Sequence, residues 1–290
     1  MKEMKNPRLM FITAMVIFGT LAPFVRQIGV SSGELALYRA ILAAVLIGGF
    51  LLVTGQKIPV KKLGKELALL LISGIAMGFN WILLFEAYRY TTVSVATLSY
   101  YFAPVIVTVV SPLLFREKLT GRQILCFIMS TFGLVLITGI GNLSGGNLLG
   151  IGFGLGAACL YATVMLLNKF IKKVEGIHRT FLQFLSAIVV LIPYVVLTGG
   201  ISLGGLQMTG WINLLIVGLV HTGFTYCIYF TALKELPGQK AAILSYIDPL
   251  VAVLVSVTVL GEAMTGGQIL GGILILAFTL WNELTPKSVA

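Results

Sequence analysis

Charged side chains make up only 10% of this chain, whereas 58% of its 290 residues are hydrophobic and its mean hydropathy is +1.02. A soluble domain of this length carries roughly a quarter charged residues. The sequence therefore lacks the polar surface that a water-facing fold needs, and lipid is the solvent it fits. The three cysteines, Cys126, Cys159 and Cys227, all fall in apolar runs, with no CxxC and no metal-type spacing. They read as small buried hydrophobes, and no metal site is indicated. A Walker motif is missing, and no polar segment is large enough for a soluble domain, so ATP-driven pumping is not indicated. Also missing are an HExxH or Ser/His set, which an intramembrane enzyme would need, and repeated pore helices with selectivity loops, which a channel would need.

What the chain has instead is a series of runs of about 20 apolar residues, each long enough to cross a hydrocarbon core as a helix. About ten are countable, near residues 8–28, 33–54, 66–88, 92–115, 121–139, 148–171, 178–198, 208–232, 238–260 and 266–284. The first imitates a signal peptide, MKEMKNPRLMFITAMVIFGTLAPFV. Its apolar stretch is long and has no A-x-A site, so it reads as a retained membrane helix.

The net charge of +10 tests this count. With an inside N-terminus, the inside segments carry Lys2, Lys5 and Arg8; Lys57, Lys61, Lys62 and Lys65; Arg116, Lys118 and Arg122; Lys169, Lys172, Lys173 and Arg179; Lys234 and Lys240; and Lys287. The outside ends carry Arg26 and Arg89, and Arg39 lies within a span. Positive charge favours the cytoplasmic side during insertion. The basic excess is thus topology rather than a nucleic-acid surface, and both termini are expected in the cytoplasm.

The phrase LSYYFAP at 98–104 returns as LSYIDP at 244–249. Shifting the chain by 145 residues aligns Phe85 with Phe230, Tyr101 with Tyr246, Pro104 with Pro249 and Ser111 with Ser256. The shared Glu-x-x-Thr-Gly-x-Gln starts at Glu117 and at Glu262, and about fourteen of some forty-four positions are identical. Five spans per half is an odd number, so the second half enters the membrane inverted. The charges agree: REKLTGRQ is basic and inside, while its counterpart GEAMTGGQ has no Lys or Arg. The expected fold is an all-α integral membrane protein of ten helices, two inverted-topology repeats over residues 1–140 and 147–285. Inverted repeats are typical of secondary transporters, with the site near the midplane between the halves.

The segments FEAYRYTTVSVATLSYYFAP, LFREKLTGRQ and FGLVLIT, with FTALKELPGQKAAILSYIDP and LGEAMTGGQILGGILIL, resemble the paired EamA domains of the drug/metabolite transporter superfamily over nearly the whole chain. The resemblance implies ten helices, cytoplasmic ends and export of amino acids or related small metabolites. Drug or cation efflux on the same fold is the alternative. Asp248 departs from the pattern, which has an apolar or small residue before this proline.

Pro104 and Pro249 lie near the middle of spans four and nine, where proline frees a carbonyl that must face protein or a wet cavity. They are expected to kink their helices beside the binding region. Charged groups at a helix centre cost about 2.5–3.5 kcal/mol on insertion scales, so each invites a role. Asp248 suits binding of an amine or carriage of a proton, or capping of carbonyls. His221 suits proton coupling or a bond to a neighbouring helix. Arg39 suits a carboxylate or phosphate, or snorkels to the outer interface. Glu86 and Arg89 read as a surface pair at i,i+3. Asn80 and Trp81 match Thr225 and Tyr226 in the second half, as a cavity wall or as helix-to-helix contacts. Tyr101, Tyr161 and Tyr246 lie too deep for an interfacial belt and are candidate lining. The GxxxG pairs Gly74/Gly78, Gly150/Gly154, Gly152/Gly156 and Gly267/Gly271 read as close helix contacts. GFGLGA lies inside a span with no strand before it and reads as no nucleotide fingerprint. No cofactor is expected. The expected partners are the bilayer and a small solute, with the protein monomeric or homodimeric.

Overall fold

The structure, a computed structural model, describes residues 6–58, 60, 63–115, 120–138, 145–174, 176–236, 241 and 244–284. Among these residues there are helices and short connections and no strand. In chain order the helices are α1 (Pro7–Gly19), α2 (Leu21–Arg26), α3 (Ser32–Val53), α4 (Glu66–Tyr90), α5 (Val93–Tyr100), α6 (Ala103–Phe115) and α7 (Gly121–Thr138). They continue with α8 (Gly145–Phe170), α9 (Gly176–Thr198), α10 (Met208–Leu215), a π-helical segment (Ile216–Phe224), α11 (Thr225–Leu233), α12 (Ile247–Thr258) and α13 (Gly266–Glu283). Among the described residues seven stretches are long and apolar enough to cross a membrane: Pro7–Arg26, Ser32–Val53, Glu66–Tyr90, Val93–Ser111, Asn147–Phe170, Gly176–Thr198 and Met208–Leu233. Gly121–Ile137, Ile247–Thr258 and Gly266–Asn282 are shorter apolar helices. Part of the expected span 238–260 lies outside the described residues. So do Glu117 and the basic residues Lys2, Lys5, Lys61, Lys62, Arg116, Lys118, Lys240 and Lys287.

The repeated Thr-Gly-x-Gln is a helix start. Thr265 Oγ1 accepts from the Gln268 amide while Gln268 Oε1 accepts from the Thr265 amide. Thr120 and Gln123 make the same reciprocal pair at the start of α7. Each box satisfies two amides that a helix end would otherwise leave bare, a strong demand in a lipid-facing chain. Ser31 and Glu34 form a third box at α3.

Among the described residues three apolar runs are interrupted. The first breaks at Thr20, between α1 and α2. The fourth breaks at Tyr101 and Phe102 and restarts at Ala103, so Pro104 stands in the first turn of α6. The ninth breaks at Tyr246, and Asp248 and Pro249 stand in the first turn of α12. The sequence predicts prolines kinking continuous helices; here each proline opens a new helix, where its missing amide costs no intrahelical bond. The eighth run is continuous but wound wider over Ile216–Phe224, where Thr222 and Thr225 donate to carbonyls five residues back.

The principal helix packings join one half of the chain to the other. α4 packs on α8 and α9, α3 on α9 and the π-helical segment, α1 on α11 and α12, and α7 on α13. Close approach at the α4–α9 crossing requires glycine: a Cβ on Gly74 would lie 2.5 Å from the Gln183 carbonyl oxygen. Gly150 likewise meets Thr91, just past the end of α4, and Gly154 meets Ser99 of the fourth run, whereas Gly152 faces open space and makes no such contact.

Candidate functional site

The interleaved halves leave a cavity of about 480 Å³ between them. Its walls come from α1 to α6, α8, α9, α11 and the ninth run, and they gather Arg39, Trp81, Tyr101, Tyr161, Tyr226, Tyr246 and Asp248, together with Pro104. The breaks at Tyr101 and Tyr246 both fall on the wall. Thr20 lies beside it, between the lining residues Gly19 and Leu21.

Asp248, the chain's only aspartate, sits where these breaks meet. The Tyr101 hydroxyl donates to Asp248 Oδ2 at 2.5 Å. Gly19, the last residue of α1, presses on the Asp248 backbone: a Cβ there would lie 2.6 Å from the Asp248 carbonyl oxygen. The restart of α12 thus aims the carboxyl at the cavity and lets α1 seat directly behind it.

Arg39 comes from the middle of α3 and is 4% exposed. Its Nε donates to Thr222 Oγ1 at 2.7 Å, and its guanidinium carbon lies 4.7 Å from the Trp81 ring centroid and 5.6 Å from that of Phe85. The wider winding of the π-helical segment presents Thr222 to Arg39, while Thr222 itself donates to the Val217 carbonyl. The side chain is folded into the cavity wall instead of reaching along the surface. Among the described residues neither Arg39 nor Asp248 forms an ion pair. Arg39 and Asp248 therefore face the same cavity while each is held by a neutral partner, and Arg179 adds a second cation to the lining at the far end.

Arg39 and Asp248 are each flanked by their own group of aromatic rings. Trp81 and Tyr226, matched positions of the two halves, both lie edge-on to Phe184, at 5.2 and 5.4 Å. Tyr100 stacks on Tyr161 at 5.3 Å and meets Tyr101 edge-on at 5.9 Å. Such a wall accepts apolar groups and offers ring faces to cations.

Asn80, His221 and Pro249 stand outside the lining. Asn80 is buried and donates from Nδ2 to the Ala157 carbonyl at 2.6 Å, tying α4 to α8. His221 lies behind Arg39, with Nε2 3.2 Å from Thr20 Oγ1, Nδ1 3.4 Å from the Ile216 carbonyl oxygen, and its ring 4.9 Å from that of Phe24. Pro249 is buried. Glu86 and Arg89 form the expected ion pair at 3.1 Å.

Sequence reasoning missed Tyr88, Thr97, Asn168, Arg179 and Gln183, all of which line the cavity. Gln183 is 1% exposed and donates from Nε2 to Ser73 Oγ at 2.6 Å and to Asn168 Oδ1 at 2.9 Å. A glutamine within an apolar span was the available signal.

The EamA-like transporter family matches residues 7–139 and again 148–282. The chain is 30% identical over 279 residues to an uncharacterized transporter, YxxF, of Bacillus subtilis (strain 168), covering 95% of this chain and 89% of that protein. It is 31% identical over 176 residues to a probable amino-acid metabolite efflux pump of Escherichia coli (strain K12), covering 56% and 58%. A solved crystal structure has the same fold, with a TM-score of 0.63 at 17% identity and 94% of each chain covered.

Proposed function

The chain belongs to the EamA-like transporter family, and from that premise we propose that it is a secondary-active transporter of the cell membrane, exporting a small metabolite such as an amino acid by alternating access. It is a multi-pass membrane protein whose relatives are named as transporters rather than enzymes. The proposal reads the seven long and three shorter apolar helices as ten spans, arranged as inverted five-helix repeats over residues 1–140 and 147–285, with both termini cytoplasmic. The twofold match of the family along the chain supports that division.

The observation that carries the reading is the pairing of Arg39 and Asp248 on one cavity, unpaired with each other and separated by aromatic walls. A zwitterion with an apolar side chain complements all three features. Its carboxylate meets the Arg39 fork, its ammonium meets Asp248 and Tyr101, and its side chain lies on tyrosine and tryptophan faces. Asp248 also serves as the proton carrier that couples export to a gradient, and the helix breaks provide joints for rocking one bundle against the other.

Organic-cation efflux is the second reading, favoured by the same aspartate within an aromatic cage. Arg39 opposes it, because a desolvated guanidinium repels a cationic ligand. Thermal-shift screening of detergent-purified protein against amino acids, nucleosides, sugars and quaternary amines separates the two. Stabilisation by amino acids, followed by their concentrative flux in proteoliposomes, supports the first reading; hits confined to quaternary amines replace it with the second.

A further inference from the structure

Beyond the lining residues Tyr88 and Thr97, at one end of the cavity, lies an ion-pair network that none of the groups facing the solute explains. Arg26, the last residue of α2, pairs with Glu262 in the connection before α13. The rest of its fork holds the end of α4: Nε and Nη2 donate to the Tyr88 carbonyl at 3.2 and 3.0 Å, and Nη2 donates to that of Thr91 at 2.9 Å. Glu262 Oε2 accepts from the Val93 amide at 2.8 Å, the first residue of α5, and from Ser256 Oγ. The orphan carbonyls of one helix end and an orphan amide of another are thus satisfied by one charge pair. It binds elements from both halves of the chain.

Its position gives it a role. Tyr88 and Thr97 line the cavity, and the clasp holds the carbonyl of the first and the helix start one turn from the second. The lining reaches the other end of the bundle at Asn168, Arg179 and Leu233. We infer that the Arg26–Glu262 clasp is a gate: it seals the cavity at the α2–α5 end, and the solute passes that end only when the pair separates. This rests on the alternating-access reading, which requires each end to open in turn. A static tether would have the same bonds and would never need to break.

The test locks the clasp. In a Cys159→Ala background, which removes the exposed native thiol, Arg26→Cys and Glu262→Cys are bridged with a short, reductant-cleavable bifunctional thiol reagent in proteoliposomes. The expected result is loss of flux, recovered on reduction, while solute-induced thermal stabilisation persists because the opposite end stays open. Flux at the unlocked rate in the bridged protein overturns the gate. A second measurement needs no solute and a milder variant. With Thr97→Cys as reporter, Glu262→Gln should raise labelling by an impermeant maleimide from the Arg26 side about tenfold, equivalent to about 1.4 kcal/mol. It should leave labelling from the other side unchanged. Equal labelling from the Arg26 side with and without Glu262→Gln also overturns the gate. If the unbridged protein moves no solute at all, the transporter reading fails, and the labelling comparison still decides whether the clasp opens.

Discussion

Arg39→Lys keeps the charge on the cavity wall and removes the geometry. The guanidinium is held by Thr222 through Nε and by the Trp81 face, and among the described residues its two terminal nitrogens donate to no other group. That leaves a two-pronged fork for a carboxylate. A lysine ammonium is a point donor and makes one of the two bonds. Each hydrogen bond to a charged group contributes about 1.5–3 kcal/mol, so the variant should bind a zwitterionic or anionic solute about ten- to hundredfold more weakly. Arg39→Gln also deletes the charge and should lose more. Quaternary amines make no carboxylate contact with Arg39, so they should bind Arg39→Lys about as well as wild type and bind Arg39→Gln better, since the charge that opposed them is gone. Isothermal titration of purified protein gives Kd, and proteoliposome flux over a range of solute concentrations separates KM from the maximal rate. The baseline melting temperature is recorded beside them, because losing the Thr222 and Trp81 contacts lowers it whether or not a solute binds. An Arg39→Lys variant with Kd within twofold of wild type for every carboxylate solute would refute the reasoning and make Arg39 a packing residue.

Asp248→Asn should abolish uphill transport while leaving downhill exchange; concentrative, pH-dependent flux retained by this variant removes the proton role. His221→Asn should lower the melting temperature, since the ring bridges Thr20 and Ile216, and leave the pH profile of flux unchanged. A displaced profile would put His221 on the proton path. Asn80→Leu deletes the α4–α8 bond and should cost about 0.6–1.7 kcal/mol, the usual range for an interhelical bond in a membrane protein, measurable by unfolding in mixed micelles. No loss there would assign the α4–α8 contact to packing alone.

Helix positions were readable because lipid makes a simple demand: each spanning run must be apolar, long enough and internally bonded. The prolines at 104 and 249 were visible as places where a backbone ladder is disturbed, but they open new helices where kinks in continuous ones were expected, and the repeated Thr-Gly-x-Gln was legible as a repeat without its capping role. The widened winding at Ile216–Phe224 left no trace, because a π turn uses the same apolar residues as an α turn. The break at Thr20 had a signal in the nearby Gly19 and Pro23 that apolar counting passes over. Asp248 and Arg39 stood out as charges, but their partners did not. Thr222 is 183 residues from Arg39, and Tyr101 is 147 from Asp248. Pairings of that kind depend on how two halves interleave, which composition and periodicity do not encode. The clasp of Arg26 and Glu262 was hidden for the same reason, although each residue was visible alone.

The interleaving has a consequence for biosynthesis. Arg39 is made 183 residues before Thr222, and Asn80 is made 77 residues before Ala157. At roughly 5–20 residues per second of translation, the arginine waits about 10–40 s in the bilayer before its acceptor exists. During that interval the nascent first half carries a guanidinium without its Thr222 acceptor, a charge that costs about 2.5–3.5 kcal/mol at a helix centre until the second half folds against it.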